Sequence, residues 1–241
     1  FKYFTILFED GFETLPFTGF IKIPPWDAQP GTGVVTVTGA LFHQGTYCEK
    51  IEVDNGEWGY ANVSFVGGNE LYSRCYLRFD DAPDANGEFI PLGVRNRIDG
   101  NNFVMPMLWH DGADLYWGVE LREATVYDHT NLEAVASNPA VDTWHCVETY
   151  MKSETGPATT DGIIRLWVEN VLRVEKLNCD ITDGNINRID CGTSLNSTGA
   201  RINVYIDCVV AADARIYCKV APPVPAYPLI GKPLIAPIIV G

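Results

Sequence analysis

The stretch Glu70-Leu-Tyr-Ser-Arg-Cys-Tyr-Leu-Arg-Phe79 decides the fold class of this 241-residue chain. Apolar and polar side chains alternate along it with a period of two, and this pattern is typical of a β-strand with one face in a core. Thr143-Trp-His-Cys-Val-Glu-Thr-Tyr-Met-Lys152 alternates in the same way. The two stretches therefore predict two amphipathic strands. In the first strand, one face would hold Leu71, Ser73, Cys75, Leu77 and Phe79.

Working outward from these stretches, short strand-like segments recur along most of the chain. They cover residues 34–38, 46–53, 58–66, 88–94, 103–109, 114–121, 162–169 and 201–210, with Gly-, Asn- and Asp-rich turns between them. One short helix is predicted at residues 131–136, because Pro139 would close it. A dozen or so short strands with such turns indicate a single antiparallel β-sandwich or barrel over residues 1–219.

The composition changes after residue 219, and residues 220–241 form a proline-rich, apolar tail. Proline blocks helices and central strands, so the tail is expected to be extended. Ile238, Ile239 and Val240 lie together without proline and could add a strand to the edge of a neighbouring sheet. The tail thus predicts subunit contacts in a homo-oligomer, filament or particle, although docking on its own domain is the alternative.

The formal net charge of −14 disfavours nucleic acid and anionic membranes as partners. No apolar run is long enough to span a bilayer as a helix. Seven cysteines and two glycosylation sequons, at Asn62 and Asn196, favour an oxidising, extracellular setting for a processed chain or fragment. Cys179 and Cys191 flank an Asp- and Gly-rich turn and are predicted to form a disulfide. The alternative is that the cysteines are buried free thiols.

Four segments in order resemble the concanavalin A-like, LamG-type jelly-roll family. They are Phe8-Glu-Asp-Gly-Phe-Glu13, Tyr72-Ser-Arg-Cys-Tyr-Leu-Arg-Phe79, Trp144-His-Cys-Val-Glu-Thr-Tyr150 with Gly162-Ile-Ile-Arg-Leu-Trp-Val-Glu169, and Val204-Tyr-Ile-Asp-Cys-Val-Val210. The resemblance covers about residues 7–218. It implies two antiparallel sheets with the first and last strands adjacent. Members include lectins, laminin G-like modules, glucanases, polysaccharide lyases and structural proteins, so the fold alone does not give the function.

The resemblance also implies two structural features. Many members hold a structural calcium ion, and the matching positions here are Glu9, Asp10, Glu13 and Asp207, although Cys208 stands where the family often has a further Asp. Solvated acids at a strand edge are the alternative. Because Cys75 and Cys208 lie on strands that neighbour one another in the family, they are predicted to pair.

The sequence offers candidates for two kinds of carbohydrate site, a binding surface and an active site. Trp109, Tyr116 and Trp117 could stack on sugar rings, whereas core packing is the commoner role of strand aromatics. No Glu-x-Asp-x-(x)-Glu strand of a glucanase occurs. Val119-Glu-Leu-Arg-Glu123 resembles an alginate lyase motif, but the Gln-x-His element of that group is missing and Tyr150-Met-Lys152 matches its last motif poorly.

The three histidines His110, His129 and His145, with Tyr127 or Tyr150, could act as base and acid. The alternative is that they are scattered surface side chains. On balance the sequence favours a non-catalytic extracellular structural subunit rather than an enzyme. A carbohydrate-binding module and a polysaccharide lyase or glycoside hydrolase are the alternatives.

Overall fold

The computed structural model describes residues 5–10, 27, 31–84, 86–99, 101–123, 126–157, 159–195 and 201–218. These residues form fourteen β-strands and no helix. In chain order they are β1 (Ile6–Asp10), β2 (Val34–Thr38), β3 (Cys48–Val53), β4 (Trp58–Gly68), β5 (Glu70–Phe79), β6 (Phe89–Arg97), β7 (Phe103–His110), β8 (Leu115–Glu123), β9 (Val126–Leu132), β10 (His145–Lys152), β11 (Gly162–Val168), β12 (Val171–Cys179), β13 (Ile186–Ser194) and β14 (Ile202–Ala212). No helix in this part of the chain is long and apolar enough to cross a membrane.

The strands form two antiparallel sheets. The eight-stranded sheet has the order β12-β11-β10-β5-β14-β3-β2, and β1 also pairs with β14. The six-stranded sheet has the order β4-β13-β6-β7-β8-β9. The all-β sandwich is confirmed, as is the adjacency of the first and last strands.

The core lies between the sheets and follows the predicted alternation. On β5, Leu71, Cys75, Leu77 and Phe79 belong to the main hydrophobic cluster. The six-stranded sheet contributes Val94, Val104 and Val119, among others, to the same cluster. Since side chains of a strand alternate between faces, their neighbours at positions 95, 103 and 120 must lie on the outer face of this sheet. That outer face carries the candidate site.

The helix predicted at residues 131–136 is wrong. Residues 131 and 132 end strand β9, and irregular backbone follows. The Glu133 carboxylate accepts hydrogen bonds from the backbone N–H groups of Trp117 and Ser137, both at 2.9 Å. This carboxylate ties the segment to β8 and replaces the hydrogen bonds that a helical turn would have made.

Both predicted disulfides are also wrong. Cys179 ends β12 in one sheet, whereas Cys191 lies in the middle of β13 in the other sheet, and both are free and buried. Cys75 faces the core, but Cys208 packs against a cluster on the outer face of the eight-stranded sheet. A bulge in β14 after Asp207, where Cys208 has a positive φ of 52°, accounts for this change of face.

The disulfide that the structure contains joins Cys146 to Cys218, with 5.9 Å between Cα atoms. It ties the segment after β14 to the outer face of the eight-stranded sheet. The buried Glu148 carboxylate on β10 accepts hydrogen bonds from the backbone N–H of Ile216 at 2.7 Å and from Arg215 at 3.1 Å. The outer face of this sheet is therefore covered in part by the chain itself. The tail residues Ile238, Ile239 and Val240 lie outside the described residues.

Candidate functional site

A cavity of about 530 Å³ opens on the outer face of the six-stranded sheet. We call it the arginine pocket, because four of the 17 basic residues of the chain line it. Among the described residues, Glu57 and Glu120 are the only acids in its lining. In a protein of net charge −14, this is a local excess of positive charge. The lining residues are Gly56, Glu57, Trp58, Tyr60, Arg95, Arg97, Phe103, Glu120, Arg122, Tyr127, Arg188, Ser194 and Leu195.

The carboxylate of Asp190 holds three of these arginines in place. It is fully buried on β13, between β4 and β6. One of its oxygens accepts hydrogen bonds from Arg95 Nε at 2.8 Å and Arg97 Nη1 at 2.7 Å, and the other accepts one from Arg188 Nε at 2.7 Å. Burial alone would raise the pKa of Asp190, but the three guanidinium charges outweigh burial and the pKa is lowered. The carboxylate therefore stays ionised beneath the pocket.

Aromatic rings fix the arginines further. The guanidinium of Arg95 lies 4.1 Å from the ring centre of Tyr60 and 4.7 Å from that of Phe103. On β8, the guanidinium of Arg122 lies 4.8 Å from the ring centre of Tyr127. These cation–π contacts hold two guanidinium groups in defined orientations. Burial raises the pKa of Tyr60, against the effect of Arg95, so its hydroxyl stays protonated.

A histidine, a glutamate and a tyrosine meet at the edge of the arginine pocket. His129 Nε2 lies 3.2 Å from a carboxylate oxygen of Glu120, which is only 6% exposed. The rings of Tyr127 and His129 are 5.9 Å apart on β9, and Tyr127 is 48% exposed. An imidazole oriented by a buried carboxylate, next to an accessible phenol, is a chemically competent acid–base pair.

A second cavity, of about 820 Å³, shares Tyr127 with the arginine pocket as a lining residue. We call it the aromatic pocket. The rings of Phe89 and Trp109 are stacked at 6.1 Å, and the His129 ring stacks on Phe89 at 3.9 Å. Its remaining lining residues are Gly87, Leu121, Glu123, Val126, Asp128, Thr130, Leu132, Lys176, Asn178, Cys179 and Asp180.

Several solved structures share this architecture. A glucuronan lyase from the fungus Trichoderma reesei superposes with a TM-score of 0.58 at 16% identity, covering 86% of this chain and 95% of that one. Alginate lyase Aly36B gives 0.55 at 13% identity, covering 79% and 88%. The cellulose-induced protein Cip1 gives 0.59 at 16% identity, covering 88% and 100%. The chain has a jelly-roll fold. No family model and no curated protein sequence matches it.

These neighbours correct the functional prediction. The sequence favoured a non-catalytic structural subunit over an enzyme, yet two of the structures named above are polysaccharide lyases. The comparison therefore contradicts the prediction that the chain is a non-catalytic structural subunit. The LamG type within the jelly rolls stays a prediction.

The three predicted glycan-binding aromatics of this jelly roll lie in different environments. Trp117 is 1% exposed and packs in the core against Phe79, so it cannot stack on a sugar. Tyr116 donates a hydrogen bond from its hydroxyl to Asp111 at 2.9 Å, beside the β7–β8 turn. Trp109 lines the aromatic pocket. The core alternative thus holds for Trp117 alone.

The candidate acid–base residues also lie in different parts of the fold. His129 and Tyr127 lie close together on β9, and Tyr127 lines the arginine pocket. His145 stacks on Phe79, and its Nε2 lies 2.9 Å from the carbonyl oxygen of Ala140. His110 ends β7, and Tyr150 donates its hydroxyl hydrogen bond to Glu70 on the eight-stranded sheet. The alginate lyase-like segment Val119–Glu123 supplies Glu120 and Arg122 to the pocket.

The predicted metal ligands form no cluster among the described residues, where no group of three or more His, Cys, Asp or Glu is arranged to hold an ion. The Asp207 carboxylate already accepts hydrogen bonds from the backbone N–H groups of His43 and Gln44, both at 2.9 Å. Glu9 and Asp10 lie on β1, and Glu13 lies outside the described residues. Calcium at these positions stays a prediction.

The predicted glycosylation of Asn62 does not fit the folded chain. Asn62 is only 4% exposed, within β4 and opposite Asp190 on β13. An N-linked sugar needs an accessible amide, and this one lies in the sheet. Asn196 lies outside the described residues.

Sequence reasoning missed four residues that line the arginine pocket, Tyr60, Arg95, Arg97 and Arg188, and the Asp190 carboxylate beneath it. A signal was present, because Arg95-Asn-Arg97 and Arg188-Ile-Asp190 each place charged side chains two residues apart. Such spacing puts both charges on one face of a strand. What the sequence did not show is that β13 and β6 are adjacent.

Proposed function

We propose that the protein is a polysaccharide lyase that cleaves chains containing uronic acids by β-elimination. The observation that carries the proposal is the arginine pocket next to Tyr127 and His129. Four arginines supply a binding site for a carboxylate in a protein whose net charge would otherwise repel a polyanion. The lyases with a similar fold support the same class of reaction.

The reaction places two demands on the site: it must neutralise the charge of the uronate carboxylate, and it must transfer two protons. A base removes the proton at C5 of the uronate, the bond between C4 and the glycosidic oxygen breaks, and that oxygen takes a proton as it leaves. A C4=C5 double bond forms in the new non-reducing end. The C5 proton is weakly acidic while the neighbouring carboxylate keeps its charge, so neutralising that charge accelerates proton removal.

The arginines meet the first demand, which is to neutralise the carboxylate charge. A guanidinium has five N–H donors in a planar fork that matches a carboxylate. Asp190 takes only some of the donors of Arg95 and Arg188, so both can still donate to a ligand in the pocket. Because Asp190 and the rings of Tyr60 and Phe103 hold these groups in place before substrate arrives, little reorganisation is needed.

Tyr127 and His129 meet the second demand, which is proton transfer. We assign proton removal and proton donation to this pair, with Glu120 orienting the imidazole of His129. Tyr127 lines both cavities and His129 lines the aromatic pocket, so both side chains are accessible to a bound polymer. A polysaccharide substrate also agrees with the extracellular setting that the Cys146–Cys218 disulfide favours.

The proposal is tested with alginate, glucuronan and other acidic polysaccharides, with neutral glucans as the comparison. Cleavage is followed by the ultraviolet absorbance of the conjugated double bond. We expect turnover of at least one acidic polymer and loss of at least about a hundredfold in kcat for Tyr127→Phe and His129→Gln, as is usual when an acid–base group is removed.

Tyr205→Phe is the matched control, because Tyr205 lies on β14 of the other sheet under Arg78 and its loss should leave turnover unchanged. Binding of acidic glycans without any cleavage would instead identify a carbohydrate-binding module and refute the lyase proposal.

A further inference from the structure

We infer that Trp58 forms a distal sugar-binding subsite, in which a sugar several units away from the cleaved uronate stacks on the indole ring. This inference rests on the proposed function and deepens it. It follows from the position of Trp58 in the arginine pocket, on the opposite edge strand of the six-stranded sheet from Tyr127.

The arginine pocket extends from one edge of this sheet to the other. Tyr127 on β9 and Trp58 on β4 both line this one cavity, and β9 and β4 are the first and last strands in the order of the sheet. Neighbouring strands lie about 4.8 Å apart, so the path across the sheet from β9 to β4 measures roughly 24 Å. A single sugar ring fills only a part of this length.

The charges of the pocket direct a bound polymer across the strands. The four guanidinium groups belong to strands that follow one another from β9 towards β4, first β8, then β6, then β13: Arg122, Arg95, Arg97 and Arg188. A chain that carries anionic groups is attracted along this line of positive charge. A polymer whose uronate reacts at Tyr127 therefore extends towards Trp58.

The Trp58 ring lies on the outer face of the sheet, where a sugar can reach it. Tyr60, two residues along β4, packs with Phe103 and Met105 on the outer face, and residues two apart on a strand share a face. The ring centres of Trp58 and Tyr60 are 5.8 Å apart. Trp58 is 40% exposed, and the other described tryptophans are all more buried.

The backbone of Trp58 is held on both sides of its strand. Its carbonyl oxygen accepts hydrogen bonds from the backbone N–H groups of Thr32 at 2.8 Å and Gly33 at 3.0 Å, and on the other side Trp58 pairs with Ser194 of β13. An aromatic ring on a fixed backbone loses little conformational freedom when a ligand binds. Ser194 lines the same cavity, and its hydroxyl can form a hydrogen bond to a sugar hydroxyl.

The test compares substrates of different length from the same acidic polymer. A trisaccharide that reacts at Tyr127 ends before it reaches Trp58, whereas a decasaccharide extends past the indole ring. We expect Trp58→Ala to raise KM for the decasaccharide by roughly fivefold, the effect of one lost aromatic stacking contact, and to leave KM for the trisaccharide unchanged. The kcat values should stay the same, because Trp58 lies far from the reacting bond.

Two further variants serve as controls. Trp58→Phe keeps an aromatic ring and should restore most of the affinity for the decasaccharide. Phe42→Ala also removes an exposed ring, since Phe42 is 44% exposed, but Phe42 lines neither cavity and its loss should leave both KM values unchanged. Thermal unfolding of each variant shows that it is folded.

The outcomes separate the two proposals. If Trp58→Ala raises KM equally for both oligosaccharides, or for neither, the inference about Trp58 is overturned and the lyase proposal stands. If the oligosaccharides are bound without cleavage, the lyase proposal fails. The Kd values from titration calorimetry then replace KM, and the same difference between long and short chains supports or overturns the subsite. If no acidic saccharide is bound or cleaved, both proposals fail.

Discussion

Replacing Asp190 by Asn tests whether one buried carboxylate organises the arginine pocket. The substitution keeps the shape of the side chain and removes its negative charge. Asp190 is fully buried, and its partners Arg95 and Arg97 each have side chains that are 13% exposed. Water therefore screens these pairs little. Removing one partner from a buried ion pair leaves uncompensated charge and costs about 3–5 kcal/mol.

For a domain of this size, each kcal/mol lowers the melting temperature by about 2–4 °C, so Asp190→Asn should melt roughly 6–20 °C below the parent protein. Urea unfolding at neutral pH gives the same comparison as a free energy. The pKa of Asp190 is lowered in the folded protein. Its contribution is therefore present above the ordinary pKa of 3.8 and is lost as the pH falls through the folded-state pKa. The parent and the variant should converge in acid.

The matched control is Asp142→Asn. Asp142 also pairs with an arginine, Arg78, at 2.6 Å, but its side chain is 60% exposed. An exposed pair of this kind contributes less than about 1 kcal/mol. If Asp190→Asn is no more destabilised than Asp142→Asn, the buried carboxylate does not organise the arginines and the account of the pocket is wrong.

Three further predictions concern the core and the disulfide. Burial raises the pKa of Glu49 from 4.5 to about 8, so its contribution to stability is full below pH 4.5 and declines by on the order of 5 kcal/mol up to about pH 8. Glu49→Gln should abolish that decline in urea unfolding measured across this pH range, and an unchanged pH profile would contradict it. Replacing Cys146 and Cys218 together by Ser should lower the free energy of unfolding by up to about 4 kcal/mol, because the bond closes a loop of 72 residues; peptide mapping without reductant that joins other cysteines would refute the pairing. Trp117→Ala should cost about 3–5 kcal/mol, since the ring is buried in the core, and a calorimetric melt close to that of the parent would show otherwise.

The sequence was most informative where alternation was strict. Strand β5 was predicted to the residue, since every second side chain faces the core and the pattern has no interruption. Strand β13 was missed because its outward-facing positions, such as Arg188 and Asp190, carry the charged side chains of the pocket. Its sequence therefore resembles a polar segment rather than a strand. Function here obscured the strand pattern, as expected where a site is built on a sheet face.

The candidate site was predicted only in part. Tyr127 and His129 were named from the sequence because histidine and tyrosine are common acid–base groups. The arginines were missed because Arg95 and Arg188 are far apart in the chain and meet only through the pairing of β6 with β13. Strand order in a sandwich is a long-range property that local alternation does not contain.

The disulfide shows the same limit. Cys179 and Cys191 are near in sequence, yet they lie in different sheets. Cys146 and Cys218 are 72 residues apart and meet because the chain after β14 returns across the outer face of the eight-stranded sheet. Spacing along the chain therefore gave no guide to pairing.

The most direct test of the central claim is the mass of the oligosaccharides released from an acidic polysaccharide. Elimination yields a C4=C5 double bond in one fragment, so the two product ends together lack the water molecule that hydrolysis would add. We expect unsaturated uronate ends from the parent protein, formed at least about a hundredfold more slowly by His129→Gln. Fully hydrated ends on every fragment, or bound polymer that is never cleaved, would contradict it.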